Sequence, residues 1–274
     1  MTAHGWRLEE RDGLVLALCD ALSHVTGAAH AFSTRRADGG HDFDLGGPDP
    51  VDEIVRARRR RLSAAADVAP TSPLILRQVH ETTVVRAADA SDGVTADGAV
   101  WTRADRPSRA PSVRTADCVP ILIVDRLGAA AAAVHAGWRG TARGVAARAI
   151  EALAEAGARP GDLVAALGPA ILPCCYEVEC EVYDRVAAAC DGGRGLEGLG
   201  RPSGRGDRVR LDLHAANRIQ LLRAGLGPDD IHAAPWCTHC HEGLFFSFRR
   251  DGAAAGRQMA VVGARRGGGG GWRP

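Results

Sequence analysis

The sequence predicts an α+β fold, with mixed β-sheet flanked by helices, and three observations carry that prediction. Short β-rich runs alternate with helical runs along all 274 residues. Two of the runs, TADCVPILIVD and AAAAVHAG, are almost continuously apolar, the pattern of strands buried on both faces. A hydrophobic content of 46% is enough for a substantial core in a chain of this length.

Taken in order, Val15 to Leu18 and His30 to Ser33 read as strands. Val51 to Ala66, with RARRRR inside it, reads as a helix with a solvated basic face. PLILRQVH and VTADGAVW are expected as strands, followed by the two apolar runs. Helices are expected at Gly140 to Ala156, Cys180 to Ala189 and Leu213 to Ala224. LFFSFRRDG and RQMAVVGAR should close the pattern as a hairpin turning at Asp251-Gly252. No internal repeat is evident, and Asp191 to Asp207 reads as a Gly-rich surface loop rather than a domain linker.

All 34 basic residues are arginine, set against 33 acidic residues, for a formal net charge of +1. A balance so near neutral gives no footing for a general nucleic-acid binder. The missing lysine fits a GC-rich codon bias better than selection for phosphate. The N-terminus lacks the basic start, long apolar stretch and cleavage site of an export signal. No apolar run approaches the roughly 20 residues of a membrane span. A cytoplasmic protein with reduced cysteines is therefore expected, with no membrane association and no obligate protein partner evident.

In that setting clustered cysteines read first as metal or catalytic residues. The stretch WCTHCHEG contains CTHCH, the CxxCH of c-type haem attachment, but haem of that kind is normally attached after export, so no haem is expected. Three other segments each place one soft ligand beside a strand end: His80 in LRQVHET, Cys118 in RTADCVPIL and His135 in AVHAGWRG. Two imidazoles and a thiolate suit zinc and would leave a fourth position open, the pattern of a catalytic site. With ten histidines and eight cysteines in the chain, spacing alone does not select this triple.

What selects it is a resemblance. HAFSTRRADGG, LRQVHETTV, ADGAVWT, TADCVPILIVD, AVHAGWRGTARGV, LGPAILPCCYEV, LDLHAANRIQLLRAG and CTHCHEGLFFSFRRDGAAAGRQMAVV resemble, in order and character, the YfiH family. It is also called the laccase-domain or polyphenol oxidase family, and it includes peptidoglycan editing factor and purine nucleoside phosphorylase enzymes. The resemblance runs from about His30 to Val262. It implies one catalytic domain over 1–262, an α+β sandwich of mixed β-sheet flanked by helices that resembles the catalytic domain of cytotoxic necrotizing factors; the Gly-rich span 263–274 is expected from its composition as a disordered tail. It implies zinc at His80, Cys118 and His135, with copper as an alternative. It also implies phosphorolysis of adenosine, inosine and methylthioadenosine, and deamination of adenosine, so the expected partners are a purine nucleoside and phosphate.

The residues are compatible with that chemistry. Zinc would lower the pKa of a bound water from about 16 toward about 7. Arg35, Arg139, Arg249 and Arg250 are candidate phosphate ligands, each equally readable as a surface ion pair. Asp117 reads either as a proton-transfer or orienting group, or as a turn residue. Tyr176 and Glu177 are candidate pocket residues. Cys174 and Cys175 are expected to pack, because adjacent side chains in extended chain point apart. Other readings stay open: Cys118 and His135 as nucleophile and base of an amidase acting on a cell-wall precursor, a zinc-stabilised scaffold, or a copper oxidase. The last would need many paired histidines, and only His239 and His241 come close.

Overall fold

The computed structural model describes residues 2–3, 5–46, 53–105, 108–190 and 198–267. Two large sheets stack face to face, each covered on its outer side by helix. In the first, the strand order is Thr2–Ala3, Trp6–Arg11, Leu14–Cys19, Ala28–Ala37, Gln258–Arg265, Val68–Ala69, with His41–Asp42 and Ser112–Thr115 added at its margins. The second runs Ile231–Ala233, Leu163–Leu167, Val119–Asp125, Ala130–Ala136, Gly98–Thr102, Val84–Arg86. A small third sheet joins Glu177–Glu179, Arg208–Leu211 and Gly200–Pro202.

The period of two along Val119–Asp125 explains the layering. Leu122 and Val124 point into the space between the sheets, where they meet Trp6, Phe32, Val113 and Val262 of the first sheet. Ile121 and Ile123 point the other way and pack with Ile150 and Leu153 of the helix Val145–Glu155 and Leu221 of Leu213–Arg223. Both faces are buried, so the strand reads as an unbroken apolar run. Its neighbour Ala130–Ala136 sets small residues opposite large ones, Ala132 beside Ile123 and Ala133 beside Leu122. Alanine is a poor strand former, and here the packing decides. On the far side of the first sheet, Leu14, Leu16 and Leu18 pack under Leu62 and Ala65 of the helix Glu53–Ala65.

Several expectations are corrected. The run PLILRQVH is held by isolated bridges, Pro73 to Ala110 and Arg77 to Thr95, rather than by a continuous ladder. The basic face of Glu53–Ala65 is not wholly solvated: Arg59 is buried and donates to the Leu45 and Gly46 carbonyls. LFFSFRRDG does not pair with Gln258–Arg265. It turns into the short helix Phe248–Asp251, and the Gln258 amide bonds both the N–H and the carbonyl of Phe246, replacing a ladder. The final strand continues to Arg265, three residues into the span expected as tail, and 268–274 lie outside the described residues. So do 191–197 of the expected loop, while Gly200–Pro202 within it forms a strand. Among the described residues no helix is long and apolar enough to cross a membrane.

His30 lies buried in the first sheet, where its Nε2 accepts the Cys19 N–H. Burial, aided by the nearby arginines Arg7, Arg265 and Arg11, lowers its pKa from 6.5 to about 3. The folded chain thus keeps the imidazole neutral while the unfolded chain takes up a proton, so stability falls as pH drops from 6.5 toward 3. The slope from this one group is about 1.4 kcal/mol per pH unit. His30→Gln keeps an acceptor but cannot titrate, and urea denaturation across this window should show a shallower acid loss. An unchanged slope would contradict the assignment.

Candidate functional site

A cleft of about 790 Å³ opens where the chain crosses between the two large sheets. Ser112–Thr115 pairs in the first sheet and Val119–Asp125 in the second, so Ala116, Asp117 and Cys118 form the crossing. Asp117 turns it with a φ of 89°. His80 comes from the loop after Arg77, also at positive φ, 62°. His135 is the penultimate residue of Ala130–Ala136. The structure brings these three together: one ligand atom from each lies within 4.8 Å of the others. His80 Nε2 is 4.0 Å from Cys118 Sγ, and the two imidazoles meet edge to face at 4.7 Å between centroids.

Behind the triple lies Asp97, fully buried. Its carboxylate accepts from His135 Nδ1 at 2.8 Å and from the consecutive amides of Val79, His80 and Glu81 at 3.2, 2.9 and 2.8 Å. Burial alone would raise its pKa, but the His135 bond and the amides outweigh that and hold it below the usual carboxylate range. With Nδ1–H donating to the Asp97 carboxylate, His135 presents Nε2 to the cleft, the carboxylate–histidine arrangement of metal sites. Sequence reasoning missed Asp97, which lies inside VTADGAVW, the run expected as a strand; its one signal is a carboxylate within a largely apolar run.

The thiol and imidazole also perturb each other. Burial would raise the Cys118 thiol, yet His135 and His80 bring it well below the ordinary thiol value. Burial would lower His135, yet the Cys118 thiolate and Asp97 raise it. Gly137 lets the backbone pass this cluster: a Cβ there would lie 2.8 Å from His80 Cδ2 and 3.0 Å from Cys118 Sγ.

The remaining expected residues divide. Asp117 lines the cleft, and each carboxylate oxygen accepts one bond, Oδ1 from the Thr238 hydroxyl at 2.6 Å and Oδ2 from the Arg249 amide at 2.6 Å. Arg249 lines the cleft over the Tyr176 ring and donates Nη1 to the Glu177 carbonyl. Tyr176 also lines it, whereas the Glu177 carboxylate pairs with Arg205. Arg35 is drawn away into a fork with Asp42, Arg250 spends its guanidinium on Thr238, His239 and Phe245 carbonyls and on Asp251, and Arg139 lies exposed over Trp138. In their place Arg77, Arg114 and Arg257 line the cleft. These three sit in ordinary-looking segments, and only the folding of the loops gathers them. Cys174 and Cys175 also depart from expectation. Cys175 touches the core in part, but both sulfurs face Cys240.

Two substitutions test this geometry. Asp97→Asn should weaken metal binding by about 10–100-fold with the fold retained, measured by chelator competition; unaltered affinity would contradict the role given to the carboxylate. Gly137→Ala should also weaken metal binding, because its methyl displaces His80 or Cys118, while circular dichroism stays native. A variant that binds metal as the parent does would show that the loop gives way at no cost.

A family model described as multi-copper polyphenol oxidoreductase laccase matches residues 42–265. The chain is similar to a purine nucleoside phosphorylase of Deinococcus radiodurans, 36% identical over 86% of this chain and 89% of that protein. It is also 40% identical to the purine nucleoside phosphorylase YlmD of Geobacillus stearothermophilus, in an alignment covering 55% of this chain and 54% of that one. The crystal structure of YlmD from Geobacillus stearothermophilus superposes with a TM-score of 0.81 at 30% identity, over 94% of this chain and 98% of the other. That of YfiH from Bacillus licheniformis gives 0.78 at 26% identity, over 95% and 99%. With an α+β fold shared across nearly its whole length and a family match over residues 42–265, which include the second sheet and the cleft ligands, the chain belongs to the laccase-domain family, the family of YfiH and YlmD.

Proposed function

We propose that this chain is a zinc-dependent purine nucleoside enzyme of the cytoplasm. It converts adenosine, inosine and methylthioadenosine with phosphate to the free base and the corresponding ribose 1-phosphate, and it deaminates adenosine as a second activity. One observation carries the reading: two imidazoles and a thiol converge in a cleft that four arginines also line. Relatives named purine nucleoside phosphorylase support it.

The donor set fits zinc. Three soft protein ligands are the number that catalytic zinc sites use, and Asp97 fixes the tautomer of one of them. Held by His80, Cys118 and His135, zinc would supply a Lewis acid at the head of the cleft. The chain's own residues do the rest. Arg77, Arg114, Arg249 and Arg257 each donate to an oxygen of the chain while lining the cleft, and their charge and planar fork suit phosphate. Tyr176 and Phe248 offer apolar faces to a purine ring. Asp117 accepts one bond on each carboxylate oxygen, which leaves lone pairs for a proton-transfer or orienting role, and it positions Arg249 through the backbone amide.

A second reading has its own observation. Cys118, His135 and Asp97 line up as thiol, imidazole and orienting carboxylate, the logic of a cysteine hydrolase acting on an amide such as a cell-wall precursor. A copper oxidase finds less support. Among the described residues the clusters of ligands are this triple and a group of four cysteines, short of the many histidines a multicopper centre needs.

Product analysis of zinc-loaded protein with adenosine separates these. Adenine formed only with phosphate reports phosphorolysis, and inosine formed without it reports deamination. Both should vanish with chelator and return with zinc. Chelator-insensitive amide hydrolysis abolished by Cys118→Ser would move the assignment to the thiol reading, and no turnover of any nucleoside would defeat the first.

A further inference from the structure

The second cysteine cluster lies outside the cleft and has no part in the chemistry above. Cys174 and Cys175 come from the turn after Ile171, and Cys237 and Cys240 from CTHC, 65 residues beyond. All four sulfurs lie within 4.8 Å of one another. Cys240 Sγ is 3.6 Å from Cys174 Sγ and 3.3 Å from Cys175 Sγ. Those spacings exceed the roughly 2.05 Å of a disulfide. They approach the edge of about 3.8 Å that a tetrahedron with metal–sulfur bonds of about 2.3 Å requires.

The backbone is shaped for such a site. Adjacent cysteines diverge in extended chain, but here the amides of Cys175 and Tyr176 both bond the Leu172 carbonyl, and the resulting tight turn aims both thiols the same way. The Leu172 amide points at Cys237 Sγ, 3.4 Å away, the donor a thiolate ligand needs. The CxxC loop is closed by the His241 amide on the Cys237 carbonyl, and anchored by the Thr238 amide on the Ala170 carbonyl. Arg250 holds the Thr238 and His239 carbonyls, and Arg210 the Cys174 carbonyl, placing two cations near a site that carries excess negative charge once four thiolates bind a divalent ion.

We propose that Cys174, Cys175, Cys237 and Cys240 bind a second zinc ion in a closed tetrathiolate site that braces the turn carrying Cys118. Four protein ligands leave no open position, so the role is structural. Its reach into the cleft is direct. The Ile171 amide, from one cysteine-bearing segment, bonds the Asp117 carbonyl at 2.9 Å; the Thr238 hydroxyl, from the other, bonds the Asp117 carboxylate at 2.6 Å. Fastening the two segments to each other fixes Asp117 from both sides, and Cys118 follows it. Binding displaces the thiol protons to solvent, one for each thiol ionised.

The test counts metal in protein purified under reducing conditions. The parent chain should hold two zinc ions, and His80→Ala/His135→Ala should keep one. That variant, refilled with cobalt, should show the intense thiolate-to-cobalt charge transfer and tetrahedral ligand-field bands of a four-sulfur site, and its four cysteines should resist alkylation until chelator is added. Cys174→Ser/Cys240→Ser should lose one zinc equivalent. A folded His80→Ala/His135→Ala protein that holds no metal, that holds iron, or whose cluster is freely alkylated or disulfide-bonded in zinc-containing buffer would overturn the proposal. Because the readout comes from the variant without the cleft ligands, its outcome is independent of whether nucleosides are turned over.

Discussion

The cleft depends on one buried carboxylate. Asp97 has no exposure to solvent, and an ionised group in that position is tolerated only if nearly every lone pair finds a donor. It finds four, three of them consecutive backbone amides from Val79 to Glu81. Wrapping three amides round one anion forms a nest and pushes His80 into the left-handed region, a conformation costly for a residue with a side chain. The same carboxylate orients His135, whose own amide bonds the Asp97 carbonyl. Two of the three cleft ligands are thus placed by a single side chain.

The third ligand is placed by topology. Strands of a sandwich normally stay in one sheet, yet the chain leaves the first sheet at Thr115 and enters the second at Val119. Asp117 takes the positive φ this jump demands, and three partners hold it there: Ile171, Thr238 and Arg249. Cys118 therefore sits on a short, strained and well-anchored crossing. A strained crossing held from several sides keeps a thiol fixed where a surface loop would let it wander.

Much of this was legible in the sequence, because buried strands and amphipathic helices write their periods into local composition. Val119–Asp125, Ala130–Ala136, Val145–Glu155 and Leu213–Arg223 lie close to where the residues predicted them. The ligand triple was selected by resemblance, since no local period marks it. What stayed hidden depends on long-range contact. Asp97 sits unremarked in VTADGAVW, a run expected as a strand, and its four donors come from elsewhere in the chain. LFFSFRRDG has the β-rich content of a strand, but the Gln258 side chain takes the bonds a ladder would have used. Arg250 and Arg35 read equally as phosphate ligands or surface ion pairs, and only folding brings the carbonyls and carboxylates that engage them. In CTHCH, His239 and His241 belong to neither ligand cluster of the described residues. Its two cysteines gain meaning only beside Cys174 and Cys175, which lie far away along the chain.

The central claim is that His80, Cys118 and His135, set by Asp97 and the Asp117 crossing, form a metal centre at the cleft. Anomalous diffraction at the zinc edge from crystals of zinc-loaded protein tests it most directly. A strong peak bounded by His80 Nε2, Cys118 Sγ and His135 Nε2, with its remaining side toward the cleft, is the expected result. Full zinc loading with no anomalous density among these three atoms would contradict it.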